Sequence, residues 1–415
     1  MNNRFDRRNF LKKAGMFGCA ALTFNMMPKV GVGSAWASDN TKLLILNLQG
    51  GCDGLSLFQP TSGGVYDTLN SLRPTLCVDP ISLSQTADGY GFHPSLTTFK
   101  SLYDSGDLLS ILGVGIENGS LSHADAEVGI ARGVKDRLTP TASGFISRIG
   151  KEKNWSGLEA VSITGTDLAF SGTSFSAMQV NGLNNLKFIG DTTQSTHENS
   201  YRSDQIYELS KEWPTSENKP KFQELIKSID LASNNSDLVQ AALSEATFSQ
   251  AYPNSSLGRL FKDAEVLLSA TSFNSRVVNL RYPGYDTHSN QANVLLSNLN
   301  RVEAALSVFV SNMKTRGLWN NLIILVMSEF GRRNKENGSQ GTEHGGANTF
   351  FLAGGPVNGG NIVGELTSSD LTSNSWLDPK YNVSEVYSQI LAKMDLDPEK
   401  IIGETSGPSL AGILT

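Results

Sequence analysis

The stretch Asn321–Val357, NLIILVMSEFGRRNKENGSQGTEHGGANTFFLAGGPV, sets two apolar runs on either side of a polar loop. Leu322–Met327 is one run and Thr349–Ala353 the other. Runs of this length, bounded by glycine and polar residues, suit strands of a sheet covered on both faces. The loop between them carries Glu329, Glu343 and His344. In open α/β sheets ligands bind outside the carboxyl ends of the strands, and the loop that starts at Ser328 leaves such an end. Two more acid-bearing loops follow strand-like runs in the same way. Asp53 comes after Lys42–Leu48 (KLLILNL), and Asp286 comes after Arg276–Leu280 (RVVNL). Any one of these loops reads as a solvated connection; three converging at one sheet edge read as a site.

Outward from this stretch, strands and helices alternate. Gln49-Gly50-Gly51-Cys52-Asp53-Gly54 directly follows the first strand, and its glycines permit a tight turn at the strand end. Ser95–Tyr103 has helical spacing, Leu108–Val114 is a strand, and a helix is expected from His123 (HADAEVGIARG). Ala160–Thr164 and Phe175–Val180 read as short strands. Residues 181–254 change to a polar character and read as a helical insertion or cap, with helices near Asp204–Glu212, Phe222–Leu231 and Leu238–Phe248. Leu257–Leu268 is amphipathic. Leu295, Leu299, Val302, Leu306, Phe309 and Met313 form one buried stripe of a long helix, and a last helix is expected near Val383–Met394. This alternation implies an α/β fold with a mainly parallel sheet and helices on both faces.

The 415 residues are 39% hydrophobic, with a mean hydropathy of −0.20. No apolar run reaches the roughly eighteen residues of a spanning helix, so an integral membrane protein is not expected. The amino terminus is not part of the fold. Asp6-Arg7-Arg8-Asn9-Phe10-Leu11-Lys12 resembles the twin-arginine export signature, a mildly apolar stretch follows over Ala14–Met27, and Ala35-Trp36-Ala37 offers a small-x-small cleavage site. The order implies a signal over residues 1–37, passage through the twin-arginine translocase and a periplasmic or exported product. Of 34 Lys+Arg and 40 Asp+Glu, the first 37 residues carry six and one, leaving 28 against 39. Such an acidic balance argues against a nucleic-acid groove. Cys52 and Cys77 remain after cleavage; they can pair in an oxidising compartment, but two buried thiols are the reading taken.

The chemistry-bearing residues are few. Asp286-x-His288 places a carboxylate and an imidazole in one turn, Glu329 leaves the central strand, and Glu343-His344 follow in the same loop. Asp53, Asp286, His288, Glu329 and His344 make an Asp/Glu/His ligand set without thiolate, suited to one or two Zn²⁺, Mn²⁺ or Mg²⁺ ions. Ser120 and Ser122 sit at a strand-to-helix turn, a usual place both for an activated nucleophile and for a helix N-cap. His123 beside them either binds substrate or metal or is a solvated helix start. Arg332 or Arg333 can meet a tetrahedral anion, or form a solvated surface pair. His197 lies in a polar run and reads as exposed.

At these residues a resemblance emerges. Ser328-Glu329-Phe330-Gly331, Gly341-Thr342-Glu343-His344-Gly345 and Thr349–Pro356 resemble successive elements of the alkaline phosphatase, sulfatase and cofactor-independent phosphoglycerate mutase superfamily. Across most of the chain, Gly-Gly-x-Asp-Gly, Asp-Thr-His-x-Asn-Gln, Ser-Glu-Phe-Gly-Arg and Gly-Thr-Glu-His-Gly are similar to the motifs of an uncharacterised family of twin-arginine-exported bacterial proteins grouped with that superfamily. In that family the last motif has Asp where Glu343 stands. The resemblance implies an alkaline-phosphatase-like fold and a divalent-metal hydrolase of phosphate or sulfate esters, acting on a small anionic ester. It departs from the two-metal members at Phe330, where they carry a histidine, and it lacks the sulfatase Cys/Ser-x-Pro-x-Arg signature. These departures keep open an alternative: a degenerate member that binds or assembles a cell-envelope component. Phosphotransfer or mutase activity is a lesser alternative. Five scattered tryptophans give little support to a carbohydrate-binding module.

Overall fold

The computed structural model describes residues 41–141, 143–172, 175, 177–186, 220–403 and 410–415. The export signal read over residues 1–37, His197 and the helix expected at Asp204–Glu212 lie outside the described residues.

Nine strands form the main sheet: β1 (Lys42–Gln49), β2 (Leu108–Gly115), β3 (Ala160–Ser162), β4 (Met178–Gln179), β5 (Val277–Pro283), β6 (Leu322–Met327), β7 (Asn348–Ala353), β8 (Asn361–Val363) and β9 (Tyr381–Asn382). Their order is β8-β2-β7-β6-β1-β5-β3-β4, with β9 continuing along β2 beyond β8. β1 lies at the centre, parallel to both β5 and β6. The mainly parallel sheet implied by the sequence is thus observed. β7 runs antiparallel to β6 and β2. Its direction follows from its connection: a parallel return needs a crossover element, and residues 328–347 contain no helix.

Helices cover both faces, as alternation along β1 requires. Leu44, Leu46 and Leu48 join one core with α5 (Ser256–Ser269), α6 (Gln291–Thr315) and α1 (Thr97–Asp104). Leu43 and Ile45 join the other, with α2 (His123–Arg132), α3 (Phe145–Lys153) and α7 (Val383–Lys393). Each fully buried Leu or Ile contributes roughly 1.5–3 kcal/mol, so a strand with apolar residues on both faces is held from both sides.

The expected helices at Phe222–Leu231 and Leu238–Phe248 are a single one, α4 (Pro220–Glu245). Ser233-Asn234-Asn235-Ser236 looks like an interruption, yet Lys221–Glu245 contains neither Gly nor Pro, and weak formers alone do not end a helix that packs. Val239 is fully buried, and Gln240 Nε2 donates to Leu183 O (3.2 Å) and Leu186 O (2.7 Å). Cys52 and Cys77 are free thiols. Among the described residues, no helix is long and apolar enough to cross a membrane.

Candidate metal centre

The carboxyl ends of β1, β2, β5 and β6 share one edge of the sheet, and β7 enters there. The loop after β1 lies closest to the centre. Gly50 has φ +119°, and a Cβ on it would sit 2.5 Å from Asp286 N; Gly51 has φ +66°, and its Cβ would sit 2.2 Å from Phe330 Cε2. Only glycine satisfies both the backbone angle and the close approach. The double glycine therefore lets the loops after β1, β5 and β6 meet.

Where they meet, three imidazoles surround one carboxylate. One ligand atom each from His123, Asp286 and His344 lie within 4.8 Å of one another. His344 Nε2 is 3.0 Å from Asp286 Oδ1, His288 Nε2 is also 3.0 Å from that oxygen, and the two Nε2 atoms are 3.1 Å apart. His123 Nε2 is 3.5 Å from Asp286 Oδ2.

The outer ring nitrogens explain this convergence. His344 Nδ1 is 2.7 Å from Leu121 O, an acceptor, so it carries the proton. His123 Nδ1 is 2.7 Å from Glu329 Oε1, and His288 Nδ1 is 2.9 Å from Glu343 Oε2. With each Nδ1–H donated outward, a neutral ring turns its Nε2 lone pair inward. Three inward lone pairs facing a carboxylate repel one another unless a proton or a cation lies between them. Histidine ligands of metals are held in this way, the far ring nitrogen donating to a carboxylate or a backbone carbonyl. His123 Nε2 has no hydrogen-bond partner although it is buried. Three nitrogens and an oxygen suit Zn²⁺ and Mn²⁺ better than Mg²⁺, which favours oxygen ligands.

Asp286 is ionised throughout the ordinary pH range. Burial pushes its carboxyl up, but the hydrogen bond and the charge of Arg332 work against that and hold it below its ordinary value. Asp286 and His288 keep an exposed face to solvent. Glu343 is held low by the hydrogen bond from Asn337 and by His288. Phe330 lacks a metal donor, but its ring lies 4.8 Å from that of His123 and 4.7 Å from that of His344, centroid to centroid.

The structure brings together three of the five ligands expected from sequence, Asp286, His288 and His344, and adds His123. It places the other two differently. Glu329 is fully buried and accepts from Gly50 N–H (2.9 Å) as well as from His123, so it orients an imidazole and binds the loop after β1. Asp53 is buried in an ion pair with Arg73 Nη1 (2.6 Å) and accepts from Ser56 Oγ (2.6 Å) and Gln291 Nε2 (2.5 Å). All three donors meet the one oxygen, Oδ2. Arg332, expected to face a substrate, is buried with a fully covered side chain. Its guanidinium donates to Gly51 O (2.6 Å), Thr342 O (2.9 Å), Tyr285 O (3.0 Å), Gly50 O and Asp286 Oδ1 (2.7 Å). It is a positioning residue. Arg333 is the exposed one, 5.9 Å from the centre of the Trp376 ring. Ser120 Oγ is 3.3 Å from Asp125 Oδ2 and accepts from Ser122 N–H (3.1 Å); Ser122 precedes α2 without a side-chain cap bond. Among the described residues, no hydrogen bond joins either serine to the imidazole group.

Sequence reading missed Arg73, Gln291 and Asn348. Asn348 accepts from Gly54 N–H (3.0 Å) and donates to Cys52 O (2.9 Å) and Phe330 O (3.0 Å). Gln291 Oε1 accepts from Thr287 (2.9 Å) and Thr342 (2.6 Å). Only Gln291 lies inside one of the multi-residue motifs, and that was the available signal for it; Arg73 and Asn348 lie outside them.

Fold and site together define an α/β protein with a candidate metal centre, three imidazoles and a carboxylate, at the carboxyl edge of a mostly parallel sheet. The chain belongs to a family described as a protein of unknown function (DUF1501), whose model matches residues 40–410. The resemblance drawn from the four motifs holds at this level. No curated protein matches the sequence. Among solved structures, the chain is similar to an alkaline phosphatase from the Antarctic bacterium TAB5, at 13% identity over 86% of this chain and 100% of that one, with a TM-score of 0.39. It is also similar to the phosphonate monoester hydrolase SpPMH from Silicibacter pomeroyi, at 10% identity over 90% and 76% of the chains, with a TM-score of 0.36. A third is Ps i-CgsB in complex with k-i-k-neocarrahexaose, at 10% identity over 90% and 75%, with a TM-score of 0.39.

Proposed function

We propose that this protein is a divalent-metal hydrolase of a small phosphate or sulfate ester, exported by the twin-arginine pathway to the periplasm. One observation carries the catalytic part. Three imidazoles commit Nδ1–H outward and turn Nε2 towards the ionised Asp286, an arrangement that a bound cation would satisfy. His123, His288, His344 and Asp286 would hold the ion. Bound there, a divalent ion polarises an ester oxygen and lowers the pKa of a bound water. Glu329, Glu343 and the Leu121 carbonyl keep the three rings aimed. Arg333, exposed beside Glu343, would meet the substrate anion. Export is supported by the order of paired arginines, apolar stretch and cleavage site in residues 1–37.

A second reading, a metal-holding binding or assembly protein of the cell envelope, is favoured by the serines. Among the described residues neither Ser120 nor Ser122 is bonded to the centre. Elemental analysis of the purified protein, paired with His288→Ala and with assays on aryl phosphates and aryl sulfates, tests both. The hydrolase reading expects about one Zn or Mn per chain, ester cleavage, and loss of both in the variant. A loaded but inert protein favours the binding reading. A folded, metal-free wild type removes both.

A further inference from the structure

A cavity of about 300 Å³ lies behind the candidate centre, between the turn after β2 and the segment that precedes β9. None of the three imidazoles or Asp286 is among the described residues that line it. It touches their supports instead. Glu329 meets Nδ1 of His123 and Leu121 O meets Nδ1 of His344, and both residues stand in the cavity wall. The cavity is therefore a hollow of its own, on the outer side of the rings. Its solvent side is the exposed turn Glu117–Gly119 together with Pro379. Within, Ile116, Ile130 and Val383 are joined by three aromatic side chains, Phe330, Phe350 and Trp376. The inner polar groups already have partners. Ser328 Oγ accepts from Cys52 N–H (2.9 Å) and donates to Leu48 O (2.6 Å), and Glu329 accepts from Gly50 N–H (2.9 Å). Water held there would find few partners, and apolar hollows of this kind stay dry or take apolar molecules.

We infer that this cavity is a binding site for a compact, uncharged aromatic molecule, separate from the metal centre but linked to it. Its volume is that of the smaller ligand pockets, which are mostly apolar and aromatic in lining. Phe330, Phe350 and Trp376 offer ring faces and edges to an aromatic guest. The charged residues in the lining are both carboxylates, Glu117 and Glu329, so an anionic guest would meet like charge. A polyol would lose its water without replacement. The link rests on the metal reading of the centre. A guest packed against Glu329, Leu121 and Phe330 restrains the groups that aim His123 and His344, which leaves less ordering for an ion to impose. The ion should then bind more tightly, and by reciprocity it should tighten the guest.

The experiment titrates the purified full-length protein, metal-free and zinc-loaded, with 4-bromophenol, 4-bromobenzoate and glycerol in a calorimeter at pH 7, where a phenol keeps its proton. 4-Bromophenol should bind saturably, one per chain, with a negative heat-capacity change. 4-Bromobenzoate should bind roughly tenfold more weakly or worse, and glycerol should give no saturable heat. Crystals soaked in 4-bromophenol should show the bromine among Phe330, Phe350 and Trp376. Ile116→Trp, which fills the hollow from a half-buried loop position, should abolish binding. No saturable binding, bromine bound elsewhere, or benzoate bound as well as phenol overturns the site. Saturating 4-bromophenol should raise the zinc affinity, read by competition with a chelator, by roughly fivefold or more. An unchanged zinc affinity overturns the link. A protein that takes 4-bromophenol into the hollow but binds no zinc supports the site and removes the metal reading, so the two proposals fail separately.

Discussion

Arg332 shows how much one buried side chain can determine. Its rigid planar fork reaches four backbone carbonyls and Asp286 through Nε, Nη1 and Nη2. Lysine has the same charge but presents it as a point, with three donors on a flexible stem. Arg332→Lys should leave at least two buried carbonyls unpaired and loosen Asp286. The expected cost is about 3–5 kcal/mol of stability, read from the denaturant midpoint, together with a lowered metal content. The sequence offered this arginine or Arg333 as the group facing a substrate, because paired arginines on a polar loop look alike whether they face solvent or carbonyls; Arg332 is the one that faces carbonyls. Asp53 and Glu329 likewise have protein partners that the sequence did not show. A carboxylate at a strand end can bind an ion or an arginine, and the decision rests with partners such as Arg73, far away in the chain. Asp286, His288 and His344 were legible because two short motifs place them in loops that leave the same edge. His123 was half legible, since a helix start explains it equally well until His344 is seen against it at 4.5 Å between ring centroids.

Among the elements, β1 organises the sheet, and the apolar runs made its position readable. Its first residue, Lys42, is the exception to its apolar character. Burial, and then the charge of Arg276, lower the Lys42 ammonium from its ordinary value to about 8, although Nζ donates to Asn274 Oδ1 (3.1 Å) and Ser275 O (2.9 Å). Below pH 8 both folded and unfolded chains hold this proton, and the folded chain bears the full cost of burying the charge. Between about 8 and 10.5 the unfolded chain keeps a proton that the folded chain has released, so stability rises with pH across that window. Compared with Lys42→Met, the wild type should therefore gain on the order of 3 kcal/mol between pH 8 and pH 10.5. Urea denaturation of the two proteins at several pH values measures the difference, and a flat difference would refute the account. The same element scale exposes what hydrophobic pattern does not carry. It fixed strand and helix, but neither the reversed direction of β7, which depends on the absence of a crossover, nor the continuity of α4, which depends on packing against Leu183 and Leu186.

At the scale of the whole molecule, the architecture was legible because strand and helix periods alternate along nearly the entire chain. Which distant side chains meet was not, because Ile116, Phe350, Trp376 and Val383 line one hollow only once the elements that carry them are assembled. The proposed export is a property of the whole molecule as well. Replacing Arg7 and Arg8 by lysine should hold the protein in the cytoplasm, as cell fractionation would show, and an unchanged distribution would sink the assignment. The centre draws His123 from the connection after β2, Asp286 and His288 from that after β5, and His344 from that after β6. An unfolded chain thus offers an ion no more than a neighbouring Asp-His pair. Divalent ions compete for nitrogen and oxygen donors in a fixed order of affinity, so the supply of free ions decides which is captured. The candidate ligands assemble only when the sheet does, and under the proposed export the chain folds before it crosses. Occupancy of the centre would then record the ion inventory of the cytoplasm, carried outward inside a finished fold.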